Sequence, residues 1–216
     1  MKKIFSLILT GAIVTSMCSQ VFAATPKFSD ISEPKYSWAK DYIIEMAEKG
    51  YINGYDDGTY RPDNEVTRLE TIALFARAMG ALNPENEEIV EYAKDKYSNL
   101  LNELDMDFGD DEVAYLLYRG ILTQEDTKTF LTKSKANKPM PRQEAAAIIT
   151  KTLCGEKDAK AEVLTDMEFT DAKTIDSDYT QYVFYASENG IMQGMDDGSY
   201  FSPKTSVLRS QIAVML

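Results

Sequence analysis

The sequence has 216 residues, a formal net charge of −12, two cysteines and no histidine. The absence of histidine excludes Ser-His-Asp and Cys-His catalysis and histidine-based metal sites, and leaves carboxylate-only chemistry such as glycoside hydrolysis open. A chain this acidic is repelled by nucleic acid and by anionic membrane surfaces.

The N-terminus reads as a secretory signal peptide over residues 1–23. Lys2 and Lys3 precede an apolar run from Ile4 to Val14, and the small-residue segment Val21-Phe22-Ala23-Ala24 places the cut after Ala23. The run is shorter than the ~18–20 residues that span a bilayer, so no membrane insertion is expected after cleavage. Met17 before Cys18 argues against lipidation. The remaining 193 residues carry a charge of −14 and one thiol. Cys154 lies in an apolar helical stretch and is expected to be a small buried hydrophobe. A lone thiol cannot staple the chain, so packing must hold it together.

Internal repetition organises the rest. Gly50, Gly120 and Gly190 are spaced by 70, and each is followed by an apolar pair: Tyr51-Ile52, Ile121-Leu122 and Ile191-Met192. The segments before them place Tyr42, Ile43, Met46 and Ala47, then Val113, Leu116 and Leu117, then Tyr182, Val183 and Ala186 on one face. That spacing predicts amphipathic helices closed by a C-terminal glycine. In the first unit Gly54-Tyr55-Asp56-Asp57-Gly58-Thr59-Tyr60-Arg61-Pro62 follows. The third repeats it from Gly194 to Pro203, with Asp197-Gly198 at the turn and one extra residue before the proline. Such segments are turn chemistry.

A second helix then opens in each unit. In the first, Thr67 and Glu70 form a capping box around Arg68-Leu69. In the second, Pro141 starts the helix ahead of Arg142, and Glu144 reads as a cap. In the third, Leu208-Arg209-Ser210-Gln211 has a weaker cap. Between the first and second units an extra acidic helix runs roughly from Pro84 to Leu104. The second unit has no Asp-Gly loop, and its polar stretch Thr123 to Lys138 has room for a short helix. The last helix ends seven residues after Arg209, where its counterparts run 12 and 13, and reads as cut short.

With Phe28-Ser29-Asp30, Trp38, Gly50, Asp57-Gly58, Pro62 and Thr67-Arg68-Leu69-Glu70 in order, the first unit resembles an S-layer homology repeat. Leu69 stands where that family usually has alanine. The third unit, from Phe169-Thr170-Asp171, is similar but lacks the tryptophan and both flanking box residues, and the second is carried mainly by Gly120 and the Arg142–Glu144 segment. The resemblance divides the mature chain into residues 24–80, 81–155 and 156–216. It implies an all-α, pseudo-threefold spindle of helix-loop-helix repeats around a central helical bundle. It also implies a non-enzymatic, secreted anchor at the cell wall or S-layer surface, without a cofactor. Inter-repeat grooves would bind a secondary cell-wall polysaccharide bearing ketal-linked pyruvate, with the box arginine on the pyruvate carboxylate.

The residues support that role on their own. Arg68, Arg142 and Arg209 sit in first helical turns, where a cation is disfavoured by ~0.3–1 kcal/mol. Free N–H groups plus a guanidinium make a good carboxylate site. The rival reading is an internal salt bridge, since acidic partners are plentiful. The complete first unit puts Arg68 foremost, and the missing loop puts Arg142 last. Tyr60 and Tyr200 are expected in the core, while Trp38 stays open between core and sugar stacking. Gly54, Gly58, Gly194 and Gly198 are read as loop-formers that also allow close ligand approach, with Asp57 beside them. A calcium loop fails, because its third place is Tyr55 and its twelfth is Asn64. The alternatives are a structural component of a surface array and, behind it, a cell-wall glycoside hydrolase.

Overall fold

The computed structural model describes residues 27–161, 167–195 and 197–216. The leader assigned to residues 1–23 lies outside the described residues, as does Asp196. The chain is all-α: about 53% helical, with ten α-helices and no strands among the described residues. They are α1 (Lys40–Glu48), α2 (Arg68–Ala78), α3 (Glu87–Lys96), α4 (Ser98–Leu104), α5 (Asp110–Tyr118), α6 (Gln124–Phe130), α7 (Arg142–Thr152), α8 (Glu156–Ala161), α9 (Thr180–Glu188) and α10 (Arg209–Met215).

The first helix of each unit packs on the second helix of another: α1 on α10, α5 on α2, α9 on α7. The ring closes through backbone hydrogen bonds just before the second helices. Val66 N–H donates to Val207 O (3.0 Å), Val207 N–H to Met140 O (2.8 Å), and Met140 N–H to Val66 O (2.8 Å). All three side chains are buried. The same threefold order satisfies the first helical amides, which have no partner inside their own helix. Arg68 and Leu69 N–H donate to Lys138 and Ala136 O; Arg142 and Gln143 N–H to Thr205 and Pro203 O; Arg209 and Ser210 N–H to Asn64 and Pro62 O.

The Phe-x-Asp openings fasten the loops. The Asp30 carboxylate accepts from the Tyr60 and Arg61 amides at 2.8 and 2.7 Å, and Asp171 accepts from Phe201 and Ser202 at 2.9 and 2.8 Å. Arg61 and Ser202 both have positive φ, 58° and 56°, and the carboxylates hold that turn in place. Phe28 packs on Tyr60 and Phe169 on Phe201, each pair 5.4 Å between ring centroids. Tyr60 is buried as expected, with its hydroxyl donating to Arg209 O. Tyr200 is not: it is 45% exposed, and fully buried Phe201 takes the place equivalent to Tyr60. The extra residue of the third loop therefore lies before Phe201, which shifts Tyr200 out to the surface.

Three further expectations are corrected. The acidic segment is two helices, α3 and α4, turning at Tyr97, whose hydroxyl donates to Leu117 O. The second helix of the middle unit starts at N-cap Pro141, which has no N–H to give, so Glu144 does not cap it. Cys154 is exposed, with φ 58°, because it takes the left-handed position that Gly80 takes after α2. The Thr67–Glu70 box is complete, with Glu70 N–H donating to Thr67 Oγ1 (3.2 Å) and Thr67 N–H to Glu70 Oε2 (2.8 Å). The polar stretch of the middle unit holds α6, capped by the Thr123–Asp126 pair.

Two stability measurements follow from this geometry. A left-handed non-glycine residue is strained by ~1–2 kcal/mol, so Cys154→Gly is expected to stabilise by about 1 kcal/mol and raise the calorimetric midpoint by about 2–4 °C. Asp30→Ala strips two charge-assisted bonds from a strained turn and is expected to cost ~1.5–3 kcal/mol in urea unfolding. A loss under ~0.5 kcal/mol would show that the carboxylate does not hold the loop.

Candidate functional site

The ring fixes where the three arginines stand. Each occupies the first position of α2, α7 or α10, with its amide bonded to a carbonyl of the neighbouring loop. The first-turn amides are therefore not free to receive a ligand carboxylate, contrary to expectation, and what remains for a ligand is guanidinium. The incoming carbonyls also offset the unfavourable end of the helix dipole.

Arg142 and Arg209 behave alike. Arg142 Nε donates to Phe201 O (2.8 Å) and Nη2 to Gln193 O (2.8 Å). Arg209 Nε donates to Tyr60 O (2.9 Å) and Nη2 to Asn53 O (2.7 Å). Each guanidinium thus clamps both ends of the following glycine loop. Neither meets a carboxylate within ion-pair distance, and neither Nη1 bonds the protein, among the described residues. Arg142 is 3% exposed, and burial lowers its pKa to about 10, so it is still a cation at neutral pH. Arg209 lies over the rings of Tyr60 and Tyr55, at 4.5 and 5.1 Å.

Each of these two arginines lines a groove. The Arg142 groove encloses about 460 Å³ between the Gly190–Met195 loop, α10 and Trp38 of the first unit. Its walls include Ile191, Met192, Met195, Val214 and Met215. Trp38 is 50% exposed, which places it at the rim and not in the core. The Arg209 groove is smaller, about 180 Å³, and is formed by Ile52, Asn53, Phe108 and the α2 residues Glu70, Ala73, Leu74 and Arg77. Phe108 stands two residues before α5, as Trp38 stands two before α1. Nothing in its surrounding sequence marks it, since the middle unit lacks the tryptophan motif.

Arg68 is held differently. Its Nε and Nη2 donate to the two carboxylate oxygens of Glu144 at 2.6 and 2.8 Å, and Nη1 donates to Pro139 O at 3.0 Å. Both side chains are largely buried. This is the internal salt bridge that the sequence left open. Arg142 thus lines the larger groove with no carboxylate within ion-pair distance among the described residues, while Arg68 has its partner built in. Tyr179 flanks the pair; burial, then the charge of Glu144, pushes its hydroxyl up to about 12.

The loop residues serve the loop itself. A Cβ on Gly54 would lie 2.3 Å from the Phe28 ring, and one on Gly194 would lie 2.1 Å from Gly198 O. Gly58 and Gly198 have φ 78° and 90°, which only glycine adopts freely. The Asp57 carboxylate accepts from the Thr59 hydroxyl and amide and from Arg61. Those bonds, the Thr59 hydroxyl first, lower its pKa to about 2. Asp57 is therefore occupied as a turn-former. No helix among the described residues is long and apolar enough to cross a membrane.

Comparison with known proteins agrees with this geometry. The S-layer homology domain family matches residues 27–72 and 168–213, the two units with a complete glycine loop. The chain is 44% identical over 61 residues to cell surface glycoprotein 1 of Acetivibrio thermocellus, covering 25% of this chain and 3% of that protein. It is 33% identical over 87 residues to an S-layer protein of Bacillus licheniformis, covering 40% of this chain and 10% of that protein. It is 25% identical over 208 residues to exoglucanase XynX of Acetivibrio thermocellus, covering 94% of this chain and 17% of the enzyme. The chain spans a small part of each of these relatives. The two matched segments, each built as Phe-x-Asp opening, glycine loop and arginine-headed helix, are S-layer homology domains.

Proposed function

We propose that this chain is a non-enzymatic anchor that holds an exported protein at the cell wall by binding pyruvylated secondary cell-wall polysaccharide in the inter-repeat grooves. S-layer homology domains are surface-anchoring modules, and relatives named as S-layer and cell-surface proteins fit a place at the wall. The likeness to an exoglucanase extends over only 17% of that enzyme, so its name carries no activity to this chain.

The observation that carries the reading is Arg142. It is a desolvated cation, without a carboxylate partner among the described residues, on the wall of a groove rimmed by an exposed tryptophan. Holding a buried charge unpaired is costly, and an incoming carboxylate removes that cost. Apolar groove walls raise the strength of the ion pair and exclude water. Trp38 offers a flat apolar face to a sugar ring beside it. Arg209 with Phe108 and Tyr55 repeats the arrangement on a smaller scale, and Arg68 is the third position of the set.

The test is a pull-down of the secreted chain by purified sacculi, with the pyruvylated polysaccharide either retained or extracted. Trp38→Ala removes a half-exposed ring and should leave the unfolding midpoint unchanged while weakening binding about tenfold, or ~1.4 kcal/mol. Arg142→Lys keeps the charge but loses the planar fork, and should weaken binding at least as much. Equal retention by intact and extracted sacculi would sink the reading.

A further inference from the structure

The Arg68 position differs from the other two for a reason visible at the start of the facing helix. Glu70, Gln211 and Glu144 occupy the same position, third in α2, α10 and α7. Glu70 accepts from the Thr67 amide and Gln211 from the Leu208 amide, at 2.8 and 3.1 Å. Each is thereby engaged at the start of its own helix, and it lines the groove of the arginine across from it without bonding that arginine. At the same place Glu144 faces Pro141, which has no amide proton to offer. Its carboxylate is released to reach Arg68. On the other side, the middle unit lacks the glycine loop whose carbonyls engage Nε and Nη2 of Arg142 and Arg209. In Arg68 those same two nitrogens are left for Glu144, which takes both.

The contact is a side-on, two-point carboxylate–guanidinium fork, the geometry a ligand carboxylate would adopt. The side chains of Arg68 and Glu144 are 12% and 14% exposed, so the pair is shielded from water and salt. A tethered carboxylate also competes at an effective concentration on the order of millimolar or more. We propose that Glu144 is the built-in occupant of the place at Arg68 that corresponds to the grooves at Arg142 and Arg209. It stands where a pyruvate carboxylate would stand, so that the chain presents open grooves at Arg142 and Arg209 and a self-filled place at Arg68. This rests on reading the arginine grooves as sites for a carboxylate-bearing wall glycan.

The experiment follows the arginine Nε–Hε resonances of the folded chain during titration with a monosaccharide carrying ketal-linked pyruvate. The same sugar without pyruvate is the control. In the wild type the Arg142 and Arg209 signals should move and the Arg68 signal should stay. In Glu144→Gln, checked for folding by circular dichroism, the Arg68 signal should begin to move, and calorimetric stoichiometry should rise by one ligand per chain. A wild-type Arg68 signal that moves with the others overturns the proposal, as does a folded Glu144→Gln chain in which it stays still. The wild-type titration decides without any variant if Glu144→Gln does not fold. If none of the three signals moves while the chain is folded, the carboxylate reading of all the grooves falls, a result distinct from Arg68 alone being silent or alone failing to be.

Discussion

Each second helix begins against backbone that belongs to another unit, and this single constraint shapes the rest of the molecule. A helix exposes unpaired amides at its N-terminus, and burying them unpaired is costly. Here the first two amides of α2, α7 and α10 are met by carbonyls from the segment that precedes the next helix in the ring. Val66, Met140 and Val207 close the cycle with one bond each. No unit can complete its second helix alone, because the acceptors lie in its neighbour. The middle unit has replaced its glycine loop with α6, and α3 and α4 have been added before it, yet it still delivers Pro139, Met140 and Pro141 to the ring. What is invariant among the three units is the arrival of an extended segment at the axis, not the path that leads there.

The arginines inherit their position from that ring. A guanidinium in the first turn opposes the helix dipole, but the carbonyls brought in by the neighbouring unit turn the same place into an acceptor-rich one. In two of three cases the side chain then bonds both ends of the adjoining loop. The loop, in turn, is shaped by glycines and held by Asp30 or Asp171. The groove is thus assembled from three sources: an arginine from one unit, a loop from the next, and an aromatic ring from the segment that packs on the next unit's second helix. Supports on all sides mean that both cations are already placed, and that Arg142 is also already dehydrated.

Much of this was legible in the residues, and the exceptions have physical causes. The 70-residue glycine period and the Thr67–Glu70 box read correctly because both depend on local backbone chemistry. Cys154 misled because its apolar neighbourhood spoke for burial, while its conformation was set by the helix end two residues earlier. Tyr200 misled because a one-residue insertion can be placed on either side of it. The amide bonds to Asp171, the Phe169 ring contact and the Arg142 bond to its carbonyl reveal that Phe201 is the counterpart of Tyr60. Phe108 carried no signal, since it depends on how α5 packs against α2. Glu144 lay within reach of sequence reasoning: a glutamate three residues after a proline has no N-cap amide to turn to, and its carboxylate must find another donor.

The overall charge sharpens the question of how such a chain meets an acidic polymer. Long-range steering works against the encounter, since both carry negative charge. Attraction must come from short range, where the protein offers cations stripped of water. Burial lowers the pKa of Arg142, with the charge of Asp171 acting against it, yet leaves it charged and able to pair with a carboxylate. The apolar walls contributed by Met192, Met195, Val214 and Met215 keep the local dielectric low, which strengthens that pairing relative to the repulsion felt across solvent. A charge exposed at the surface would be screened and outnumbered by its acidic neighbours. For the anionic ligand proposed here, α7 supplies such a point: a cation carried inward by the helix start, with no carboxylate within ion-pair distance among the described residues.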